Sequence, residues 1–335
     1  MTLASQSATQ VGVRLAVIGA GAWGTVLAAL LARNGHNVTL YTRRREQAEA
    51  MVRDQENQAY LPGFILPPGL NLSADLNEAA AGTEAAVIAV PSKGLRDLLE
   101  SLPTMPAVIS ATKGVEPGTF KRMSQVIGEY QPQALLAALS GPNLAKEIAD
   151  GKPAASVVAC LDDTFAARAQ TWFKQETFRV YRSRDLAGAE LAGALKNVLA
   201  LATGMSDALE LGENARASLI TRGLSEIARL GVQQGGNIKT FYGLAGLGDV
   251  VATCASKQSR NHQAGERLVK GETLADLEAS GLTAEGIVTV RAVHEYAQAK
   301  GLELPVTREV YRVIYEAKPP AKALRALMTR SPGEE

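Results

Sequence analysis

Cysteine and histidine are scarce: two cysteines, Cys160 and Cys254, and three histidines in 335 residues. The cysteines lie far apart and form no Cys-x-x-Cys pair, and the histidines are scattered, so neither a disulfide framework nor a metal site is expected. An excess of one charge sign is also missing. Lys and Arg number 35 against 34 Asp and Glu, a formal net charge of +1. No global field then draws the chain to nucleic acid or an anionic membrane, and any phosphate has to be held by a local site. Nor does a membrane span stand out. The longest early stretch without a charged residue, Leu15 to Ala32, carries Gly19, Gly21 and Gly24 in a turn pattern and reads as strand, turn and helix. The first dozen residues lack the basic and apolar regions of a secretion signal, which makes the cytoplasm the expected location.

What the chain does have is length and apolar surface. At 335 residues it exceeds what one hydrophobic core usually serves, and a prior of roughly 150 residues per domain gives two domains. With 46% hydrophobic and 21% charged residues, wholesale disorder is excluded. From Arg14 to about Val180 short apolar runs alternate with helical patterns, as in a parallel α/β sheet. The expected strands are Leu15–Ile18, Asn37–Tyr41, Ala86–Val90, Ala107–Ser110, Leu135–Leu139 and Ser156–Cys160, most of them apolar on both faces as strands covered by helices should be. After Asp185, Ala/Leu/Glu/Arg stretches of 3.6-residue spacing take over, broken by glycines near Gly212, Gly235 and Gly243 to Gly248. The expected fold class is α/β with a mostly parallel, doubly wound sheet over 14–185, followed by an all-α domain over 186–330. Residues 1–13 are read as a mobile lead and 331–335 as a fraying tail.

Gly19-Ala20-Gly21-Ala22-Trp23-Gly24 follows the first expected strand and opens an Ala/Leu-rich helix, Thr25 to Arg33. The G-x-G-x-x-G thus sits in the strand-turn-helix context that a dinucleotide site requires. Gly19 allows the tight turn, Gly21 lets backbone N–H groups approach a pyrophosphate at the positive helix end, and Gly24 permits close packing of helix on sheet. A glycine-rich turn that merely packs is the plainer alternative, and the context tells against it. An NAD site usually places an acid about 20 residues further on, at the end of the second strand. Here that position reads Tyr41-Thr42-Arg43-Arg44-Arg45. No carboxylate repels a 2′-phosphate and guanidiniums are at hand to pair with it, so NADPH is expected to be accepted and preferred over NADH, unless the arginines are only a solvated helix start.

Ala111-Thr112-Lys113-Gly114 puts Lys113 at a strand's carboxyl end, the edge where open α/β sheets bind ligands, although a lone lysine is more often a surface residue. Ser140-Gly141-Pro142-Asn143 likewise ends a strand and leads into a helix. Leu186 to Met205 is more informative, because only Glu190, Lys196, Asn197 and Thr203 interrupt its apolar helical pattern, and a helix so apolar should be largely buried. Lys196 would then enter a desolvated setting that suits a lysine to proton exchange near neutral pH; an ion pair with Glu190, or snorkelling to the surface, are the bland alternatives. Gly243 to Gly248 expose backbone N–H groups, Asp249 offers a carboxylate able to hold a lysine, and Ser259-Arg260-Asn261 supplies charge and neutral donors for a phosphate. His262 reads as a neighbour of this group and Cys254 as packing.

Taken in order, Gly19 to Thr25, Asn57 with Tyr60-Leu61-Pro62-Gly63, Val90-Pro91-Ser92, Ala111 to Gly114, Ser140-Gly141-Pro142, Ala194-Leu195-Lys196-Asn197, Gly243 to Asp249, Ser259-Arg260-Asn261 and Ala284-Glu285-Gly286 resemble the bacterial NAD(P)-dependent glycerol-3-phosphate dehydrogenases. The resemblance spans nearly the whole chain. It implies an N-terminal Rossmann domain, a helical substrate and catalytic domain, and reversible hydride transfer between NAD(P)H and dihydroxyacetone phosphate, giving sn-glycerol 3-phosphate for phospholipid synthesis. It implies Lys196 as general acid/base with Lys113 and Asp249 beside it. With Gly19, Gly21 and Gly24, the cofactor positions become Ala22, Trp23, Arg43, Arg44, Tyr60, Lys113, Ala145, Arg260 and Glu285. The substrate positions are Lys113, Gly141, Asn143, Lys196, Asn197, Asp249, Ser259, Arg260 and Asn261. Asn143 departs from the Ser or Thr that usually follows Gly-Pro, although an amide still donates and accepts. A homodimer that needs no metal and has neither a nucleic-acid nor a membrane partner completes the expectation.

Two other readings use the same residues. A reductase of the same layout would act on a small hydroxy acid or a ketopantoate-like carbonyl, and Arg260-Asn261 argues against it as an unneeded phosphate grip. An NADP-binding sensor would keep the glycines without chemistry, and the set Lys113, Lys196 and Asp249 argues against that.

Overall fold

A computed structural model describes residues 12–329. The tail expected at 331–335 and all but the last two residues of the lead expected at 1–13 lie outside the described residues. Strands β1 (Arg14–Ile18), β2 (Asn37–Tyr41), β3 (Asn71–Ser73), β4 (Ala85–Ile88), β5 (Ala107–Ser110), β6 (Leu135–Ser140), β7 (Ala154–Cys160) and β8 (Phe178–Ser183) form one sheet. Its order is 3-2-1-4-5-6-7-8, parallel at every pair except β6 with β7. All six expected apolar runs are strands, with ends within about two residues. β3 and β8 carry no such run: the first has three residues, and the second, Phe-Arg-Val-Tyr-Arg-Ser, is an edge strand that exposes alternate side chains, so arginines interleave with its apolar residues.

Helices α1 (Ala22–Arg33), α2 (Arg45–Asp54), α3 (Leu76–Ala80), α4 (Leu95–Ser101), α5 (Met123–Tyr130), α6 (Ala145–Ala149) and α7 (Asp163–Phe173) cover the sheet. One apolar layer gathers Leu15, Val17, Leu27, Val87 and Phe173, the other Ala16, Ile18, Ile88, Leu95 and Ile127. Neighbours on one strand go to opposite layers, as the two-residue period requires, and this is why β1 is apolar from Leu15 to Ile18. β1 lies between β2 and β4, where the winding of the sheet reverses. Its carboxyl end is the switch point at which such sheets hold ligands.

From Leu186 on, the described residues are helical: α8 (Leu186–Ala208), α9 (Gly212–Gln233), α10 (Ile238–Phe241), a π-helical turn at Leu244–Gly248, α11 (Asp249–Ala255), α12 (Arg260–Val269), α13 (Leu274–Ala279), α14 (Glu285–Lys300), α15 (Pro305–Tyr315) and α16 (Pro320–Met328). The Asp185 carboxylate starts α8, accepting from Gly188 N at 2.9 Å, and ties α10 to it through Asn237 N at 2.8 Å and the Thr240 hydroxyl at 2.5 Å. α8 is long and apolar enough to cross a membrane, yet 94% of its apolar window is buried inside the protein, wrapped by α9, α11, α12 and α14. The expected burial is found. It carries Lys196, 7% exposed, into the interior.

Candidate active site

The glycine turn closes the end of β1. Gly19 has φ +113°, and a Cβ there would stand 2.7 Å from the carbonyl oxygen of Ala89; a Cβ at Gly24 would stand 1.9 Å from that of Gly19. A Cβ at Gly21 would meet nothing within 4 Å, and no side chain caps the start of α1. Uncapped N–H groups facing open space at the switch point suit a pyrophosphate. The turn is held from behind by Asn57, whose Nδ2 donates to Ala20 O at 3.0 Å and Thr25 Oγ1 at 2.7 Å, and by Gln47 Nε2, which donates to Ala20 O at 2.9 Å. Ala22 opens α1 and Ala145 opens α6, which packs on α1, while the Trp23 indole N–H is buried without a partner.

The arginine run divides. Arg44 donates from Nη2 to the Tyr60 hydroxyl at 3.1 Å and to Gln47 Oε1 at 2.9 Å, with its guanidinium over the Tyr60 ring. Through Gln47 it is tied to the glycine turn. Arg43 is exposed beside it. Arg45 pairs with Glu49 on the outer face of α2, so the solvated-helix alternative holds for that residue.

At the carboxyl ends of β5 and β6 a second group assembles from both halves of the chain. Lys113 Nζ donates to Asp249 Oδ2 at 2.6 Å and to Gly141 O at 3.0 Å. Lys196 Nζ donates to Asp249 Oδ1 at 2.8 Å and to Thr253 Oγ1 at 2.5 Å, and the Thr253 hydroxyl donates on to Asp249 Oδ1 at 3.1 Å. One carboxylate, 2% exposed, bridges two ammonium groups. Burial alone would push the Asp249 carboxyl up, but the neighbouring Lys113 and Lys196 charges hold it below the ordinary value. Burial pushes Lys113 down to about 8, against the pull of Asp249 and with the repulsion of Lys196. Neither alternative for Lys196 holds: it does not reach the surface, and Glu190 instead accepts from Ser124 N at 2.6 Å, Ser124 Oγ at 2.5 Å and Arg122 Nη1 at 2.7 Å. Thr253 is a site residue that the motifs did not include. Its one signal is the spacing of four from Asp249, which puts both on one face of α11.

Asn197 Oδ1 accepts from Asn261 Nδ2 at 2.9 Å, and Asn261 Oδ1 accepts from Gly286 N at 2.8 Å. Ser259 caps α12 through His262 N at 3.3 Å, and Arg260 stands exposed in the first turn within electrostatic range of Glu285. Glu285 accepts from Ser92 N at 3.2 Å and Ser92 Oγ at 2.6 Å, a contact between the halves that no motif spacing announced. Asn143 shows no hydrogen bond to either lysine or to Asp249 among the described residues: its Nδ2 donates to Ser156 Oγ at 3.0 Å, and its Oδ1 is buried without a partner. His262 is a buried neighbour, with Nε2 2.9 Å from Asp207 Oδ2, and burial pushes the Cys254 thiol up to about 11, as packing residues should show. Among the described residues no group of three or more His, Cys, Asp or Glu side chains is placed to hold a metal ion.

Known proteins are similar to this chain over nearly its whole length. Residues 14–166 match the family model for the N-terminus of NAD-dependent glycerol-3-phosphate dehydrogenase, and residues 185–325 match that for its C-terminus. A glycerol-3-phosphate dehydrogenase (NAD(P)+) of Thermus thermophilus is 51% identical over 324 residues, covering 96% of this chain and 100% of its own. That of Corynebacterium glutamicum is 46% identical over 327 residues, covering 95% and 98%. The crystal structure of glycerol-3-phosphate dehydrogenase from Coxiella burnetii superposes with a TM-score of 0.91 at 37% identity, over 95% of this chain and 99% of its own. A ketopantoate reductase from Ralstonia eutropha shares the fold alone, with a TM-score of 0.58 at 17% identity. The chain therefore belongs to the NAD(P)-dependent glycerol-3-phosphate dehydrogenases, oxidoreductases whose reaction is reversible hydride transfer between a nicotinamide dinucleotide and the pair dihydroxyacetone phosphate and sn-glycerol 3-phosphate.

Proposed function

We propose that Lys196 is the general acid/base of this reaction, that Asp249 and Lys113 set its position and charge, and that the chain supplies glycerophospholipid synthesis by reducing dihydroxyacetone phosphate with NADPH. The observation that carries the reading is the single buried carboxylate shared by two lysines, one from each half of the chain, at the ligand-binding edge of the sheet. The glycine turn and the uncapped start of α1 fit the cofactor's pyrophosphate, and the bound cofactor supplies the hydride that reaches C2 of the ketone. Reduction leaves negative charge on the C2 oxygen, and a proton has to reach that atom. Lys196 Nζ has three N–H donors and spends two on Asp249 and Thr253, so the third is available to a substrate oxygen. Two lysines against one aspartate leave the cluster with net charge +1 in a buried setting, which attracts a developing oxyanion and favours release of the proton to it. Arg260 at the start of α12, with Ser259 and Asn261, takes the substrate phosphate.

Arg43 and Arg44 take the 2′-phosphate of NADPH, with Arg44 pre-set by Gln47 and Tyr60. Division into domains at 14–185 and 186–330, a homodimer and a cytoplasmic setting belong to the same proposal; both cysteines are free and buried, which suits a reducing compartment. The test is loss of reduced-nicotinamide absorbance with dihydroxyacetone phosphate, run with NADPH and NADH separately and with unphosphorylated dihydroxyacetone as control. Fast oxidation is expected only with the phosphorylated ketone. Comparable rates on dihydroxyacetone would remove the phosphate grip from Arg260. Arg44→Ala should raise KM for NADPH about tenfold, the worth of one exposed charge-assisted hydrogen bond, and that for NADH about twofold or less. An equal rise for both cofactors would take the 2′-phosphate away from this arginine.

A further inference from the structure

The connection from β5 to α5 does not stay on the sheet. Val115 and Arg122 pair in an antiparallel bridge, Glu116 N donates to Lys121 O at 2.9 Å and Phe120 N to Glu116 O at 2.9 Å, so a closed hairpin hangs two residues beyond Lys113. Its apolar residues, Val115 and Phe120, are buried in the core of the helical half, where Phe120 stacks on Tyr296 of α14 with ring centres 4.2 Å apart. Phe120 has φ +58°, a left-handed backbone that a bulky residue keeps only where its surroundings over-determine it. Just past the hairpin, Glu190 of α8 grips the chain through Arg122 and both the amide and the hydroxyl of Ser124.

One helical face receives both ends of this strap. A Cβ at Gly193 would lie 3.7 Å from Cγ and Cδ of Lys113 and 2.6 Å from Ser140 Oγ, so the lysine stem passes against α8 where the helix has no side chain. Glu190 precedes Gly193 by three residues, which places it on the same face about 4.5 Å along the axis. The reaction derived above gives Glu190 no part. Yet it fixes residues 122–124, the bridge passes that constraint to Val115, and Val115 stands two residues from Lys113. Apolar burial at Val115 and Phe120 is non-directional, whereas three hydrogen bonds to one buried carboxylate are directional and add a fixed register to it.

We infer that Glu190 is a positioning residue for Lys113, holding the hairpin against α8 so that Lys113 Nζ reaches Asp249. The inference rests on the reading of Lys113 given under Proposed function. Glu190→Gln keeps an acceptor for Ser124 N but turns an amide toward the Arg122 guanidinium or the Ser124 hydroxyl. Its kcat should fall about tenfold or more, since a misplacement on the scale of 1 Å costs up to about a hundredfold, with a smaller change in KM. The high-pH limb of kcat should move upward. Burial is the largest influence on Lys113, ahead of the opposing pull of Asp249 and the push of Lys196, so a loosened strap that lets water in restores the ammonium. Ser124→Ala removes one donor, should show both changes in smaller measure, and answers if Glu190→Gln fails to fold. Glu226→Gln is the control, a buried carboxylate of the same half that accepts from Val306 N at 2.6 Å and Thr307 N at 3.2 Å at the start of α15. It should move the unfolding midpoint and leave kcat and the limb alone. Lowered stability in Glu190→Gln and Ser124→Ala with kcat and limb unchanged, as in the control, overturns the inference. Lys113→Ala, run beside them, separates the two failures: if the limb persists without the lysine, the reading of Lys113 falls and takes this one with it. If Lys113→Ala removes the limb and the Glu190 and Ser124 variants do not move it, only the role of Glu190 falls.

Discussion

Lys196→Ala is expected to abolish measurable turnover and to leave the dissociation constant for NADPH within about twofold, because the side chain it removes bonds within the lysine cluster and not to the glycine turn. Lys196 donates to Asp249 and Thr253, both in the helical half. The glycine turn and Arg44 are held by Asn57, Gln47 and Tyr60, which share no hydrogen bond with that cluster among the described residues. Loss of a general acid costs about 10²- to 10⁴-fold and loss of a charge aimed at the oxyanion about 10²- to 10³-fold; acting through one atom they do not add, so a fall of about 10⁴-fold is expected. Alanine leaves Asp249 paired with Lys113, a neutral buried pair, so the fold should survive. Lys196→Arg distinguishes the roles further. A guanidinium keeps the charge but holds its proton, so it should not restore turnover. Fluorescence titration with NADPH beside single-turnover oxidation measures both halves of the expectation. Lost cofactor binding in a folded Ala variant, or recovered turnover in the Arg variant, would sink the assignment of the proton to Lys196.

What the sequence could carry follows from where the signals are local. Leu15–Ile18 of β1, all of β4 and Ala107–Ile109 of β5 are buried and so appear as apolar runs, while β8, exposed at the edge, hides among its arginines. The glycine turn is legible because three glycines at fixed spacing stand between a strand and a helix, and Lys196 because an apolar helix makes any charge conspicuous. The partner of that lysine is another matter. Glu190, six residues away, and Asp249, 53 residues on, are both candidates in the sequence; Asp249 is the group it meets, and only the crossing of α11 over α8 decides between them. Gln47 is a single polar residue without a pattern of its own, Thr253 has only its spacing from Asp249, and nothing in the motif that holds Ser92 points to Glu285, so these contacts are tertiary. The hairpin at 115–122 shows the same limit at the level of domains. The texture of the chain breaks near Asp185, but Val115 and Phe120 belong to the other core, and nothing in a Val and a Phe 70 and 65 places before that break says which core they enter.

Asp249→Asn should damage both fold and reaction, and the pH dependence of the damage identifies its cause. The substitution keeps the shape but leaves two ammonium groups facing one neutral amide, and removing one partner of a buried ionic group costs about 3–5 kcal/mol. The protein can recover part of that by releasing a proton. Lys113, already pushed down to about 8, is free to fall further once the carboxylate that opposes its burial is gone. A lysine whose pKa is lower in the folded than in the unfolded chain binds fewer protons when folded over the interval between the two values, so stability rises with pH across that interval. In the unsubstituted protein the interval for Lys113 runs from about 8 up to the ordinary 10.5; in the variant it opens lower. The stability deficit of Asp249→Asn should therefore be largest near about pH 6 and shrink by about pH 9, as urea unfolding at the two pH values would show. Turnover should be lost at both, since the amide no longer orients Lys196. A deficit of equal size at both pH values would mean that the lysines do not depend on this carboxylate for their charge. An unchanged unfolding midpoint would mean that the shared carboxylate is not what joins the two halves at the site.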